Sequence, residues 1–220
     1  MKWLKLILVV IIILILLLDT PVIAHITDKN WLLDYINQNG IFGNLVIIFS
    51  SMIFIAIGGP KQVIALLLGY LYYIYLGVFF TLVVCVISAA LNYTVAYFLL
   101  TNTLFRRFPK RMQKFNAFAS QSPFLKVLLL RLFPVGNNVV TNILSGCVRV
   151  PLVPFFTASL IGYLPQTIIF ALAGAGIQSP SNELLYLSIV LAVISSILTG
   201  FIYRDHIKHR VGQLETDELS

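Results

Sequence analysis

Two cations stand within strongly apolar sequence, Lys61 and Arg131, and each is followed by or placed beside helix-breaking residues. Lys61 comes directly after Gly58, Gly59 and Pro60, while Arg131 precedes Pro134, Gly136, Asn137, Asn138 and Asn142. All eight acids, Asp19, Asp28, Asp34, Glu183, Asp205, Glu215, Asp217 and Glu218, fall outside the apolar runs. A cation held at bilayer depth costs about 2.5–3.5 kcal/mol on insertion scales, so an anion should offset it, at least transiently. Arginine grips phosphate with two parallel hydrogen bonds. A helix that starts just after a proline offers free N–H groups and the positive end of its dipole, both of which favour phosphate. The chemistry expected is therefore recognition of a phosphate by Arg131 and Lys61, with Asn137, Asn138 and Asn142 as neutral hydrogen-bonding partners. Other uses stay open. Arg131 can cap carbonyls or snorkel, Lys61 can snorkel from a shallow tip, and Asn142 and Gly146 can serve packing and turns.

The composition sets the solvent in which this happens. The chain has 220 residues, 59% of them apolar and 10% charged, and its mean hydropathy is +0.95. A soluble domain carries about 25% charged residues, so this is an all-α integral membrane protein with one membrane domain. The net charge of +7 lies mostly at the ends of apolar runs, where orientation signals and lipid headgroups belong, and not on a face for nucleic acid. No nucleophile–base pair or metal-ligand spacing is visible, so neither an enzyme nor a metal or cofactor is expected. Cys85 and Cys147 read as small buried hydrophobes.

The elements that must position the cations are broken helices. Ile41–Ile57 and Val63–Leu71 are separated by Gly58-Gly59-Pro60-Lys61-Gln62, and the second run is too short to span a bilayer. Residues 43–72 are read as a re-entrant hairpin with Pro60 at its tip. Residues 124–150 form the second, interrupted near Arg131–Asn138, because non-helical backbone at membrane depth persists only when buried in protein or lining a wet cavity. Full crossings are expected at 74–100, 152–177 and 184–203, followed by a tail over 204–220. Within 74–100, Ser88, Ala89, Ala90 and Asn92 suit close helix packing. Residues 1–24 fit either a cleaved leader or a retained crossing over 3–18, and the charge balance favours retention. Residues 25–42 hold a short interfacial helix over Thr27–Asn39, capped by Thr27 or Asp28 and stopped by Gly40.

Residues 101–123 carry Arg106, Arg107, Lys110, Arg111 and Lys114 with no acid, and phenylalanines recur at helical spacing, so this segment suits the headgroup layer. If both hairpins return to the side they enter from, this loop and both termini share one side, with nearly all the basic residues. That is the positive-inside distribution, and it places the termini in the cytoplasm of a bacterial plasma membrane. Pro60…Gly69…Phe79-Phe80-Thr81 echoes Pro134…Gly146…Phe155-Phe156-Thr157, and Gly58, Gly59, Pro60, Pro134, Gly136 and Gly146 are the tip and turn residues. Two opposed broken hairpins are the general plan of an inverted-repeat transporter.

At Arg131-x-x-Pro134, Asn142-x-x-x-Gly146, Phe156-Thr157 and Gly162-x-x-Pro165, with Pro60, Gly69 and Gly77 at comparable places earlier, the chain resembles the DedA/VTT superfamily, also called SNARE-associated Golgi proteins. The resemblance covers about residues 40–180. It implies two inverted re-entrant hairpins and work on membrane lipids: scrambling in eukaryotic members, lipid-carrier recycling or proton-dependent transport in bacterial ones. Many bacterial members carry a second arginine where this chain has Asn137, and a carboxylate where it has Gly59-Pro60-Lys61-Gln62, so the VTT-type branch fits better. The expected partners are membrane lipids with anionic or phosphate-bearing headgroups, with homo-oligomerisation left open. A small-ion carrier and a non-transporting assembly scaffold are the alternatives.

Overall fold

The computed structural model describes residues 28–132, 138–178 and 183–195, and every element among them is helical. In chain order these are α1 (Lys29–Ala56), α2 (Lys61–Val95), a π turn (Ala96–Leu100), α3 (Thr101–Arg107), α4 (Pro109–Ser120), α5 (Pro123–Leu132), α6 (Asn138–Cys147), α7 (Leu152–Gln178) and α8 (Glu183–Ser195). Helices spanning 30–56, 61–107 and 152–177 are long and apolar enough to cross a membrane. Much of their outward surface is large and apolar, with Ile41, Phe42, Tyr75 and Val153 each at least 67% exposed. A chain with such faces needs lipid around it. It is an all-α membrane protein.

Asp28 caps α1, accepting the Trp31 N–H at 3.2 Å, and Trp31 stacks on Tyr35 one turn later. Gly40 (φ 53°, ψ −125°) breaks the helix as its sequence suggests. The break divides α1 into residues 29–39 and 41–56, the interfacial start and the apolar limb expected as separate segments, and the chain folds back there, since a Cβ on Gly43 would lie 3.1 Å from Tyr35 O. Backbone bonds tie the tip that follows: Gly58 N–H to Ile55 O and Gly59 N–H to Phe54 O. Gly58 (φ 110°) takes a conformation that a side chain would resist. Pro60 is extended and precedes the first turn of α2.

α2 is two helices. Tyr73 (φ 62°, ψ −175°) lies outside helical space and separates residues 61–72 from 74–95. A Cβ placed on Gly77 would come within 2.6 Å of Gly69 Cα. In a straight helix these two residues would be about 12 Å apart, so the chain doubles back at Tyr73. Helix-limb 61–72 is about 18 Å long and α6 about 15 Å, each well short of the ~30 Å a bilayer core requires. The second half repeats this plan. α5 and α6 form its hairpin, Arg149 (φ 57°) supplies the corner, and α7 is the long helix that follows.

The echo between the halves extends to side chains. Phe79 and Phe80 meet edge to face at 5.6 Å, and Phe155 and Phe156 at 5.3 Å. Thr81 and Thr157 each donate to the carbonyl four residues back, Gly77 and Val153, at 2.7 Å. Glycine seams then join one half to the other. A Cβ on Gly69 would lie 2.3 Å from Ala171 O, and one on Gly174 would lie 2.0 Å from Leu66 O. In return, a Cβ on Gly146 would lie 2.4 Å from Tyr93 O. Each hairpin's second limb is thus pressed, backbone on backbone, against the long helix of the other half.

Of the four crossings expected, 74–100 and 152–177 fall within the long apolar helices. The 184–203 segment is seen as α8, a shorter apolar helix, up to Ser195. The 3–18 segment, the leader question and the 204–220 tail lie outside the described residues. The basic segment forms α3 and α4, with Arg106, Arg107, Lys110, Arg111 and Lys114 all exposed. Met112 and Ala119 are buried on its inner face.

Candidate functional site

Arg131 lies in the last turn of α5 and is only 4% exposed. A cation so placed must be saturated with hydrogen bonds or neutralised. Its Nε and Nη2 donate to Ser159 Oγ at 3.2 and 3.0 Å. Its Nη1 donates to Asn138 Oδ1, and Nη2 also donates to Asn142 Oδ1. Phe155 and Tyr163 add ring faces 5.4 and 4.8 Å from the guanidinium carbon. Every one of these partners is neutral. Among the described residues its hydrogen bonds go to side chains and none to a backbone carbonyl.

The partners come from two helices for definite reasons. Asn138 opens α6 and Asn142 follows one turn later, so both side chains share a face. Phe155, Ser159 and Tyr163 recur at four-residue spacing along α7 and present a second face. Gly162 lies between them, where a Cβ would fall 2.4 Å from Arg131 Cβ, so only glycine leaves room for the arginine stem.

Lys61, the first residue of helix-limb 61–72, belongs to the other hairpin. Its Nζ lies 4.5 Å from the centroid of the Tyr163 ring, the same ring that Arg131 faces. Tyr163 is fully buried, and its hydroxyl donates to Asn138 Oδ1 at 2.7 Å. The first tip also nears the start of α6, where a Cβ on Gly58 would meet Val139 Cγ2 at 3.9 Å. One aromatic ring on α7 therefore joins the lysine of the first hairpin to the arginine of the second.

The balance of donors and acceptors defines what the site can do. Asn138 and Asn142 turn their oxygens toward Arg131, and each amide nitrogen is buried with no partner among the described residues. Ser145, one turn beyond Asn142, has a buried hydroxyl without a partner as well. Asp28, Asp34 and Glu183, the acids among the described residues, are all exposed. No group of three metal-ligating side chains occurs among the described residues. Cys85 and Cys147 are free and buried. The site has donors and positive charge in excess, and what it can accommodate is an acceptor-rich anion.

Of the residues singled out from sequence, Arg131, Asn138 and Asn142 form one network, and Lys61 approaches it through Tyr163. Gly58 and Gly59 shape the first tip and Pro60 precedes α2. Gly146 lies one residue before the end of α6, accepts the Arg149 N–H, and packs on Tyr93. Pro134, Gly136 and Asn137 lie outside the described residues. Sequence reasoning missed Ser159 and Tyr163. A small hydroxyl and an aromatic four residues apart on an apolar helix carry no signal until Gly162 between them is seen to face Arg131.

Three comparisons bear on ancestry. The VTT domain family matches residues 59–176. The chain is similar to "Uncharacterized protein YqeD" of Bacillus subtilis (strain 168), 31% identical over 170 residues, covering 73% of this chain and 78% of that protein. It is also similar to "Transmembrane protein 41 homolog" of Caenorhabditis elegans, 27% identical over 169 residues, covering 74% of this chain and 68% of that protein. A protein of the same name from Dictyostelium discoideum is 28% identical over 102 residues, 45% of this chain and 30% of its own. No solved structure matches.

Proposed function

This chain belongs to the VTT domain family, and from that premise we propose that it moves a phosphate-bearing lipid, or a lipid-carrier phosphate, between membrane leaflets. The observation that carries the reading is the donor excess among the described residues: two cations on one buried ring, two amide nitrogens without partners, and no acid beside them. A phosphodiester is anionic and offers acceptors alone, which suits Arg131, Lys61, Asn138 and Asn142. Helix-limb 61–72 and α6 are too short to cross, which supports tips that end within the bilayer. In this reading the headgroup passes along the polar tips while its acyl chains stay in lipid. The basic helices α3 and α4 would lie at the cytoplasmic face of a plasma membrane, with both termini on that side.

The test is reconstitution of the purified protein into liposomes carrying a fluorescent phospholipid in both leaflets, with an impermeant quencher outside. The reading expects exchange between leaflets by the wild-type protein and exchange at the protein-free background by Arg131→Ala. Ion flux without lipid exchange would replace it with a small-ion transporter. A folded protein showing neither would leave an assembly scaffold.

A further inference from the structure

The two cations that the site needs come from different hairpins, so something must hold them together. We infer that Tyr163 is a positioning residue: its ring holds Lys61 beside Arg131 in the resting protein and yields Lys61 to phosphate when ligand enters. The inference rests on the phosphate-binding reading given above, and it assigns a part to a residue outside the charged set.

Three observations carry it. Tyr163 is fully buried within the core cluster that also holds Ile64, Leu67, Leu68, Val84 and Cys85, so its ring position is fixed by packing. Its hydroxyl is tied to Asn138, which also accepts from Arg131, so ring and arginine network share an anchor. Lys61 lies 4.5 Å from the ring centroid and makes no hydrogen bond or ion pair with any other described residue, whereas Arg131 has four hydrogen bonds besides its ring contacts. An aromatic face attracts a cation through its quadrupole, most strongly when both are out of water, but offers no hydrogen-bond acceptor. It can hold an ammonium in place, and a phosphate oxygen can displace it. Arg131, with its neutral acceptors already engaged, is the fixed half of the pair; Lys61 is the half free to move.

The experiment separates ring from hydroxyl. Lysines of the detergent-solubilised protein are reductively methylated with 13C, which preserves their charge, and the Lys61 resonance is identified by its loss in Lys61→Arg. Stacking on the ring predicts an upfield methyl shift in the wild type, kept in Tyr163→Phe and lost in Tyr163→Leu. A Lys61 resonance at the position of surface lysines in the wild type would overturn the inference. Ligand is then added: inorganic phosphate, or phosphatidylglycerol incorporated into nanodiscs. The shift should relax toward the surface-lysine value. Relaxation with inorganic phosphate alone identifies a free phosphate as sufficient, and relaxation only with the lipid identifies the headgroup in its membrane. A resonance moved by neither would overturn the exchange of partners.

Leaflet exchange supplies the second readout. Tyr163→Leu should cost about tenfold, the scale of a desolvated cation–π contact. In a Lys61→Ala background the same change should add nothing, because the residue acts through Lys61. Additive losses would mean that Tyr163 serves packing alone and would overturn the positioning role. Absence of exchange by the wild-type protein would defeat the transport reading, while the resonance data would still decide whether Tyr163 places Lys61.

Discussion

The two hairpins have the same ground plan and different contents. Each has a second limb too short to cross, a corner with a non-glycine residue at positive φ (Tyr73 or Arg149), and a Phe-Phe-Thr stretch with matching geometry. The first carries one charge, Lys61 at the start of its second limb, with a Tyr72–Asn44 hydrogen bond and the buried hydroxyls of Ser50 and Ser51 among its other polar contents. The second ends its first limb in Arg131 and opens its second with Asn138 and Asn142, which enclose the guanidinium. One scaffold thus carries a cation that is locked and another that is merely leaned against a ring. The fold needs the repeat. The chemistry needs the departure from it.

That contrast can be broken most decisively at the locked cation. Arg131→Ala leaves three acceptors facing a void, so thermal unfolding should register a loss of about 2–4 kcal/mol together with loss of lipid exchange. An unchanged melting temperature would mean that the network contributes nothing to the second hairpin. Next come the glycine seams, which should be equally intolerant in both halves. Gly174→Leu forces a side chain into Leu66 O, and Gly146→Leu forces one into Tyr93 O. Each should lower stability by about 1–3 kcal/mol or reduce the yield of monodisperse protein. Tolerance at one seam only would show that the halves are not packed alike.

Lys61→Met sharpens the comparison by reversing a sign. Exchange should fall about tenfold, yet the folded protein should be as stable as before or more so, by up to about 2.5 kcal/mol, because an unpaired cation no longer has to be accommodated. A stability loss like that of Arg131→Ala would make the two cations equivalent. The smallest effect belongs to Tyr93→Phe. It removes a 2.6 Å hydrogen bond to Val150 O at the second corner and should cost about 1 kcal/mol by chemical denaturation, with exchange little affected.

Much of this was legible in residue order, and the reasons are physical. Gly40, the Gly58–Pro60 break and the Arg131–Asn142 interruption stand out because an apolar helix has no use for them. Those breaks follow from local backbone preference. Tyr73 and Arg149 gave no such warning, since neither residue type favours positive φ, and the doubling back at Tyr73 is imposed by the contact of Gly77 with Gly69. Tyr163 was invisible for another reason. A buried aromatic on a membrane helix looks like any packing residue until two elements distant in sequence bring their cations to its ring. Gly162 belonged to a recognisable motif, yet its purpose, clearance for an arginine stem, depends on where α5 lies.

The seams at Gly69, Gly146 and Gly174 decide which parts can move. Where main chain rests on main chain there is no side chain whose rotation could open a crevice, so those joints behave as welds. Movement is left to joints made by side chains, such as the contact of Lys61 with the Tyr163 ring.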